Sequence, residues 1–232
     1  MAGASETVPG RLTRDALPAL VERGEIETVI PVFPDLYGRL MGKRLVGRFF
    51  VESVARHGMH ACNYLLACDM EMDPVPGYRL TSWESGYGDF RCVPDWQTLR
   101  RVAWLEKTAI VLCDVATEPG GDPIEVAPRR VLQRQIERAA EMGYVARAGS
   151  EIELYLFRES YDSARRKNYG NLETFSGYIE DYHVFQGTKE EPLVGAIVRA
   201  LDGSGVPMEG SKGEWGRGQQ ELNAEYSDLL EQ

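Results

Sequence analysis

The residues best spaced for chemistry in this 232-residue chain are two carboxylate pairs. Glu151 and Glu153 stand at i and i+2 in Ser150-Glu151-Ile152-Glu153-Leu154-Tyr155-Leu156-Phe157. Side chains alternate along a strand, so both carboxylates face one side while Ile152, Leu154 and Leu156 face the other. Alone, such a pair is more often a solvated sheet face than a site. A second pair, Glu214 and Glu221, flanks Gly216-Arg217-Gly218, and the arms of a hairpin can bring residues seven apart to one end of a sheet.

Carboxylates gathered in this way repel one another. At an effective dielectric near 20, two charges about 4 Å apart cost on the order of 4 kcal/mol. Protonation or an intervening cation must relieve that repulsion. Hard oxygen donors with no nearby His or Cys suit Mg²⁺ or Mn²⁺ rather than zinc, and such ions commonly neutralise phosphates in phosphoryl transfer. On this reasoning Glu214→Ala relieves strain in the metal-free protein and shrinks the stabilisation that added metal confers.

The elements that must position these residues can be read from apolar spacing and breakers. A helix is expected over 13–23, capped by Thr13. The β-branched run Glu27–Phe33 reads as a strand, with Pro34-Asp35-Leu36-Tyr37-Gly38 as its turn and Arg39–Val46 as the returning arm of a hairpin. A helix over Phe49–Arg56 stops at Gly58. Short strand-like pieces broken by Pro and Gly follow, then a buried strand over Ala109–Val115. Thr117–Pro123 is the strongest break in the chain and marks the expected domain boundary. Beyond it, Pro128 starts a helix that Gly143 closes. A strand over Tyr144–Phe157, a polar loop over Ser163–Asn168, a helix over Glu191–Leu201, and strands over Val206–Trp215 and Gln219–Tyr226 complete the reading. The organisation expected is an N-terminal helix and tail (1–24), a first domain (25–116) and a second (123–232), together an α+β protein.

Composition excludes several classes of function. Twenty-six basic against 36 acidic residues give a formal charge of −10, and 13 basic against 21 acidic residues follow Ala116. A sequence pI near 4.9 argues against nucleic acid and against anionic membrane surfaces as partners. No apolar run approaches a membrane span and no signal peptide opens the chain, so a cytoplasmic protein is expected. Cys62, Cys68, Cys92 and Cys113 form no C-x-x-C pair and sit mostly in apolar surroundings, as reduced, buried thiols do.

Five motifs in register resemble the glutamine synthetase family. Gly149–Phe157 is similar to its G-x-E-x-E strand, and Lys212–Leu222 to its E-x-x-x-G-Q-x-E hairpin. Pro34–Lys43 is similar to its D-x-x-G-x-x-x-G-K turn, with Met41 where Arg is usual. Val93-Pro94-Asp95 and Ala127-Pro128-Arg129 fall in the family's order. The resemblance covers the chain from about residue 25. It implies a small β-grasp-like N-terminal domain followed by part of the catalytic sheet domain. It also implies ATP-dependent formation of a γ-glutamyl amide from glutamate and ammonia through γ-glutamyl phosphate. Polyamine or monoamine acceptors are the alternative within the family, and a non-catalytic metal-binding or interaction protein is the alternative outside it.

Carried over by position, Glu153, Glu214 and Glu221 hold one Mg²⁺ or Mn²⁺, and Glu151 belongs to the second. Glu209 falls at a nucleotide contact and Tyr226 at an aromatic packed on adenine. Asp35 corresponds to an acidic residue that binds ammonium and accepts its proton in a neighbouring subunit, although Pro-Asp-Leu-Tyr-Gly forms a turn without that role. The resemblance thus implies a homo-oligomer with active sites between subunits. The family pattern runs to about twice this length, with further metal, substrate and nucleotide residues downstream. The chain therefore reads as an N-terminal piece that is inactive alone. Ser211-Lys212-Gly213-Glu214 departs from the His-rich run that precedes the metal glutamate in many ammonia-using members.

Overall fold

The computed structural model describes residues 8–118 and 120–232; the expected tail over residues 1–7 and Pro119 in the 117–123 break lie outside them. The chain forms two compact units, one ending at Ala146 and including Leu229–Glu231, the other Arg147–Asp228 with Gln232.

The first unit is built on β1 (Thr28–Pro34), whose Val29, Val32 and Phe33 are buried. It pairs antiparallel with β2 (Leu40–Gly42) and β3 (Leu45–Val46), the expected hairpin, and parallel with β7 (Thr108–Thr117), Val29 opposite Ala109 and Val32 opposite Leu112. β7 continues antiparallel to β5 (Asp89–Pro94), and β5 to β4 (Met59–Cys62), while the short β6 (Arg100–Arg101) pairs with β7. Alternate burial along β7 places Ala109, Val111, Cys113 and Val115 in the core. Phe33 meets Phe90 edge-to-face there, with ring centroids 5.0 Å apart.

Helices cover this mixed sheet. α1 (Leu17–Glu22) buries Leu17. The expected 49–56 helix is α2 (Gly47–Phe49), a π-helical stretch (Phe50–Val54) and α3 (Ala55–His57), ended by Gly58 at φ 79°. The widened turn sinks Phe50 and Val54 into the core. α4 (Pro128–Glu141) starts on Pro128 as expected and groups with this unit. Its Arg129 is buried and joins two of the recognised motifs, bonding Asp95 at 2.5 Å and Asp114 at 3.0 Å.

The second unit carries a three-stranded antiparallel sheet in the order β10 (Met208–Gly213), β11 (Gln219–Ala224), β9 (Glu151–Tyr155). The strand expected over 144–157 is therefore two pieces, since β8 (Arg147–Ala148) pairs separately with β12 (Ser227–Asp228). The polar 163–168 loop is largely helix: α5 (Tyr161–Arg166) has Ser160 accepting from the Ser163 N–H as its cap, and it buries Ala164. α6 (Val184–Gly187) and α7 (Glu191–Gly203) follow, with α7 packed on β10 and Val194 buried.

The sheets and helices make an α+β protein. All four cysteines are free, and burial pushes the Cys92 thiol up to about 12 and raises that of Cys113. Among the described residues no helix is long and apolar enough to cross a membrane.

Candidate metal centre

Strand register decides which carboxylates meet. In the β9–β11 pair Glu153 stands opposite Glu221, and in the β10–β11 pair Glu221 stands opposite Lys212. Glu214 lies two residues beyond Lys212, just past the end of β10, where the hairpin turns. One oxygen each from Glu153, Glu214 and Glu221 lies within 4.8 Å of the others. Glu151 stands two residues along β9 from Glu153, opposite Asn223, exposed and outside this group.

Each carboxylate is held by a neighbour. Gln219 Nε2 donates to Glu153 at 2.6 Å, and its own carbonyl oxygen accepts from Tyr155 OH and the Gly216 N–H, both at 2.9 Å. Asn223 Nδ2 donates to Glu221 at 2.7 Å. The Trp215 N–H donates to Glu214 at 3.0 Å. Glu221 is buried, Glu214 half-buried and Glu153 exposed, so the group opens to solvent on one side.

The cation that the sequence reading demanded is supplied from within the chain. Lys212 Nζ donates to Glu214 and lies 3.2 Å from Glu221. The Lys212 hydrogen bond, aided by the Trp215 N–H, holds the Glu214 carboxyl down at about 2. The same bond raises the Lys212 ammonium above its ordinary range. Glu214 in the metal-free protein is therefore an ion-paired carboxylate, and the expectation that Glu214→Ala relieves repulsion does not hold. Lys212 escaped the sequence reading, yet its i−2 spacing from Glu214 on one strand was the available signal.

The donor set fits a hard divalent ion. Given ligand bonds of about 2.1 Å, adjacent oxygens around Mg²⁺ stand about 3 Å apart and opposite ones about 4.2 Å, so the three carboxylates must draw together by side-chain rotation to share one ion. No nitrogen or sulfur ligand joins them among the described residues.

The remaining expected site residues lie elsewhere. Glu209 is the extra residue of a bulge between Met208 and Gly210 on β10 and is exposed. Tyr226 is exposed, with the Arg147 guanidinium 5.0 Å from its ring centroid. Asp35, in the first unit, is only 2% exposed. It accepts from the Tyr37 and Arg39 N–H groups at 2.9 Å and from Arg39 Nε at 2.6 Å. Burial works to raise the Asp35 carboxyl, but these bonds outweigh it and hold it below its usual range. Arg39 in turn donates to the Asp69 and Met70 carbonyls, both at 2.9 Å, so Asp35 clamps its turn to the following loop.

Comparison with known proteins gives the chain a family. Residues 125–232 match the family described as glutamine synthetase, catalytic domain. Over 216 residues the chain is 44% identical to the γ-glutamylethanolamide synthetase GlnA4 of Streptomyces coelicolor, which covers 93% of this chain and 46% of that protein. The chain belongs to the glutamine synthetase family. A second family relative, the glutamate–isopropylamine ligase of a Pseudomonas species, is 31% identical over 210 residues, or 90% of this chain and 46% of that one. A solved GmaS–ADP complex shares the fold, with a TM-score of 0.71 at 22% identity over 92% of this chain and 45% of that one. The chain spans about half the length of these relatives.

Proposed function

We propose that this chain supplies one metal site of an ATP-dependent ligase joining the γ-carboxyl of glutamate to an amine. The observation that carries this reading is the convergence of Glu153, Glu214 and Glu221 on one face of the sheet. These three residues would hold one Mg²⁺ or Mn²⁺, and Glu151 would serve a second. A divalent ion held there would neutralise charge on the glutamate carboxylate and the phosphate it receives.

The reaction balances in two steps. A glutamate γ-oxygen attacks the terminal phosphorus of ATP and ADP leaves. The amine nitrogen then attacks the acyl carbon, inorganic phosphate leaves and the nitrogen loses a proton. Within this chain the Gln219 and Asn223 amides orient Glu153 and Glu221, so the carboxylates are arranged before substrate arrives. Glu209 and Tyr226 are assigned to the nucleotide side. Asp35, ionised and clamped, suits attraction of a cationic amine better than removal of its proton.

A small organic monoamine is the acceptor we favour over ammonia. Relatives named for an ethanolamide product and for an isopropylamine substrate match at 44% and 31% identity over nine-tenths of the chain. In the first unit, parallel β1 and β7 at the centre with a β1–β2 hairpin at the edge support the β-grasp-like reading. Activity, an oligomer with shared sites and a cytoplasmic location are proposed for the complete protein; this chain alone should be inactive. Phosphate release from the complete protein with glutamate, ATP and a panel of ammonia, ethanolamine, isopropylamine and putrescine tests the reading. Release with none of them would overturn it, and release with ammonia alone would overturn the monoamine assignment.

A further inference from the structure

We propose that Lys212 is a tethered counter-cation: its ammonium holds the Glu214–Glu221 pair while no metal is bound, and swings onto Asp181 and Tyr182 when a divalent ion enters. This rests on the metal-site reading above.

Four observations support it. Lys212 Nζ contacts both Glu214 and Glu221, so it stands where a metal shared by those carboxylates would stand. A second resting place already exists, because Nζ lies 3.9 Å from Asp181 Oδ1 and 4.5 Å from the centroid of the Tyr182 ring. Tyr182 reaches that position in the left-handed region, at φ 53°, with its N–H donating to the Gly213 carbonyl at 3.3 Å. A bulky residue adopts such a conformation only where the surroundings impose it, and functional sites are where this strain concentrates. Finally, Lys212 and Tyr182 line a cavity of about 260 Å³ with His183, Thr188, Glu191 and Gly213, which leaves room for the side chain to move.

Electrostatics requires the movement. A dication bound to Glu214 and Glu221 at about 2.1 Å would lie beside an ammonium that touches the same oxygens, and like charges so close repel strongly. The lysine stem is flexible and its charge compact, so it can release one anion for another without backbone change. Asp181 and the face of the Tyr182 ring both attract a cation. Lys212 thus removes the repulsion of the empty site and sets a threshold that metal must exceed.

The test is Mn²⁺ affinity, measured calorimetrically on the complete protein and on Lys212→Gln, Tyr182→Leu and Asp181→Asn, with melting curves with and without Mn²⁺. Lys212→Gln should bind Mn²⁺ about three- to tenfold tighter, as expected for losing one competing ion pair. It should melt lower than wild type without metal and recover with it. Tyr182→Leu and Asp181→Asn remove the resting place and should bind Mn²⁺ about two- to threefold more weakly. These two variants keep the proposal falsifiable if Lys212→Gln does not fold. Unchanged or weaker Mn²⁺ binding by Lys212→Gln, or unchanged binding by both other variants, would overturn the role of Lys212 while leaving the metal site standing. Absence of Mn²⁺ binding by the wild-type protein would overturn the metal-site reading and this inference together.

Discussion

Glu153 and Glu221 stand directly opposite each other on adjacent antiparallel strands, each tied to an amide side chain from β11. Like charges so placed destabilise a sheet unless something compensates. Gln219 restrains Glu153, while Asn223 and Lys212 restrain Glu221. Only Glu153 lacks a cation of its own among these contacts. Glu153→Gln should therefore leave the metal-free melting temperature unchanged or higher and reduce the Mn²⁺-induced rise. Melting curves with and without Mn²⁺ check this; an undiminished rise would remove Glu153 from the site.

Glu214 should behave in the opposite way, and pH exposes it. Its carboxyl is held at about 2 in the folded protein against 4.5 ordinarily, first by Lys212. A depressed carboxyl contributes stability that is present above the unfolded value and lost as pH falls through the folded one. Denaturant unfolding of wild type and Glu214→Gln without metal should therefore differ near neutral pH, wild type being more stable. The gap should close between pH 4.5 and about 2. A gap independent of pH would mean that Glu214 acts through packing rather than charge.

Much of this arrangement was legible because alternation is a local rule. Alternation around Glu153 and the turn at Gly216–Gly218 point three carboxylates toward one end of a sheet without any knowledge of the rest of the fold, whereas Glu151, on the same face by alternation, lies outside their group. The same rule applied to Lys212 would have found the ammonium. Pro128 at the start of α4 and the β-branched residues of β1 were equally direct signals. What stayed hidden depends on tertiary context. The π-helical turn at Phe50–Val54 exists because two apolar side chains reach the core together. α5 carries three charged residues in six, and the polar 163–168 stretch it enters reads as loop from sequence, yet Ser160 caps the helix and Ala164 anchors it. Asp35 sits in a turn whose sequence suits both a structural clamp and the amine-binding base that the resemblance implies, and the burial against Arg39 that makes it a clamp depends on tertiary context.

A second carboxylate pair, Glu180 and Glu190, carries a distinct pH signature. Both are 1% exposed, and among the described residues neither oxygen of Glu190 has a hydrogen-bond partner, while Lys189 and Ser176 bond Glu180 at 2.6 and 2.7 Å. Burial first, then the Glu180 charge, pushes the Glu190 carboxyl up to about 7. A carboxyl raised on folding binds more protons in the native state, so stability falls as pH rises from 4.5 through about 7. Glu190→Gln keeps the shape and removes the ionisation. It should gain on the order of 1–3 kcal/mol over wild type above neutral pH and nothing in mild acid. Equal stabilisation at both pH values would show that Glu190 is not the titrating group.

Arg129 tests whether two of the family motifs are structural. Its guanidinium bridges Asp95 of one motif and Asp114 of β7 while itself buried. Arg129→Ala leaves both carboxylates unpaired and should destabilise the first unit by about 2–4 kcal/mol, tempered by the partial exposure of both aspartates. Arg129→Lys should recover less than half, since one ammonium cannot reproduce a two-armed contact. Denaturant unfolding measures both, and full rescue by lysine would reduce the bridge to a simple charge effect.

The hairpin turn is where fold and site are most tightly joined. Gly218 adopts φ 73°, and a Cβ there would come within 2.8 Å of the Leu156 carbonyl oxygen. Both the backbone conformation and the close approach exclude a side chain. This turn sets the register that brings Glu214 from the end of β10 beside Glu221 on β11, and it aligns Gln219 with Glu153. Gly218→Ala should therefore destabilise the protein by about 1–3 kcal/mol and weaken Mn²⁺ binding even at temperatures where the variant remains folded. Gly210 in β10 supplies the control, because a Cβ there meets nothing within 4 Å and its backbone is not left-handed. Gly210→Ala should leave both properties near wild type. Calorimetric Mn²⁺ titration of the folded variants separates the outcomes: unaltered affinity in Gly218→Ala would show that the carboxylates find one another without this turn, and that register is not what assembles the site.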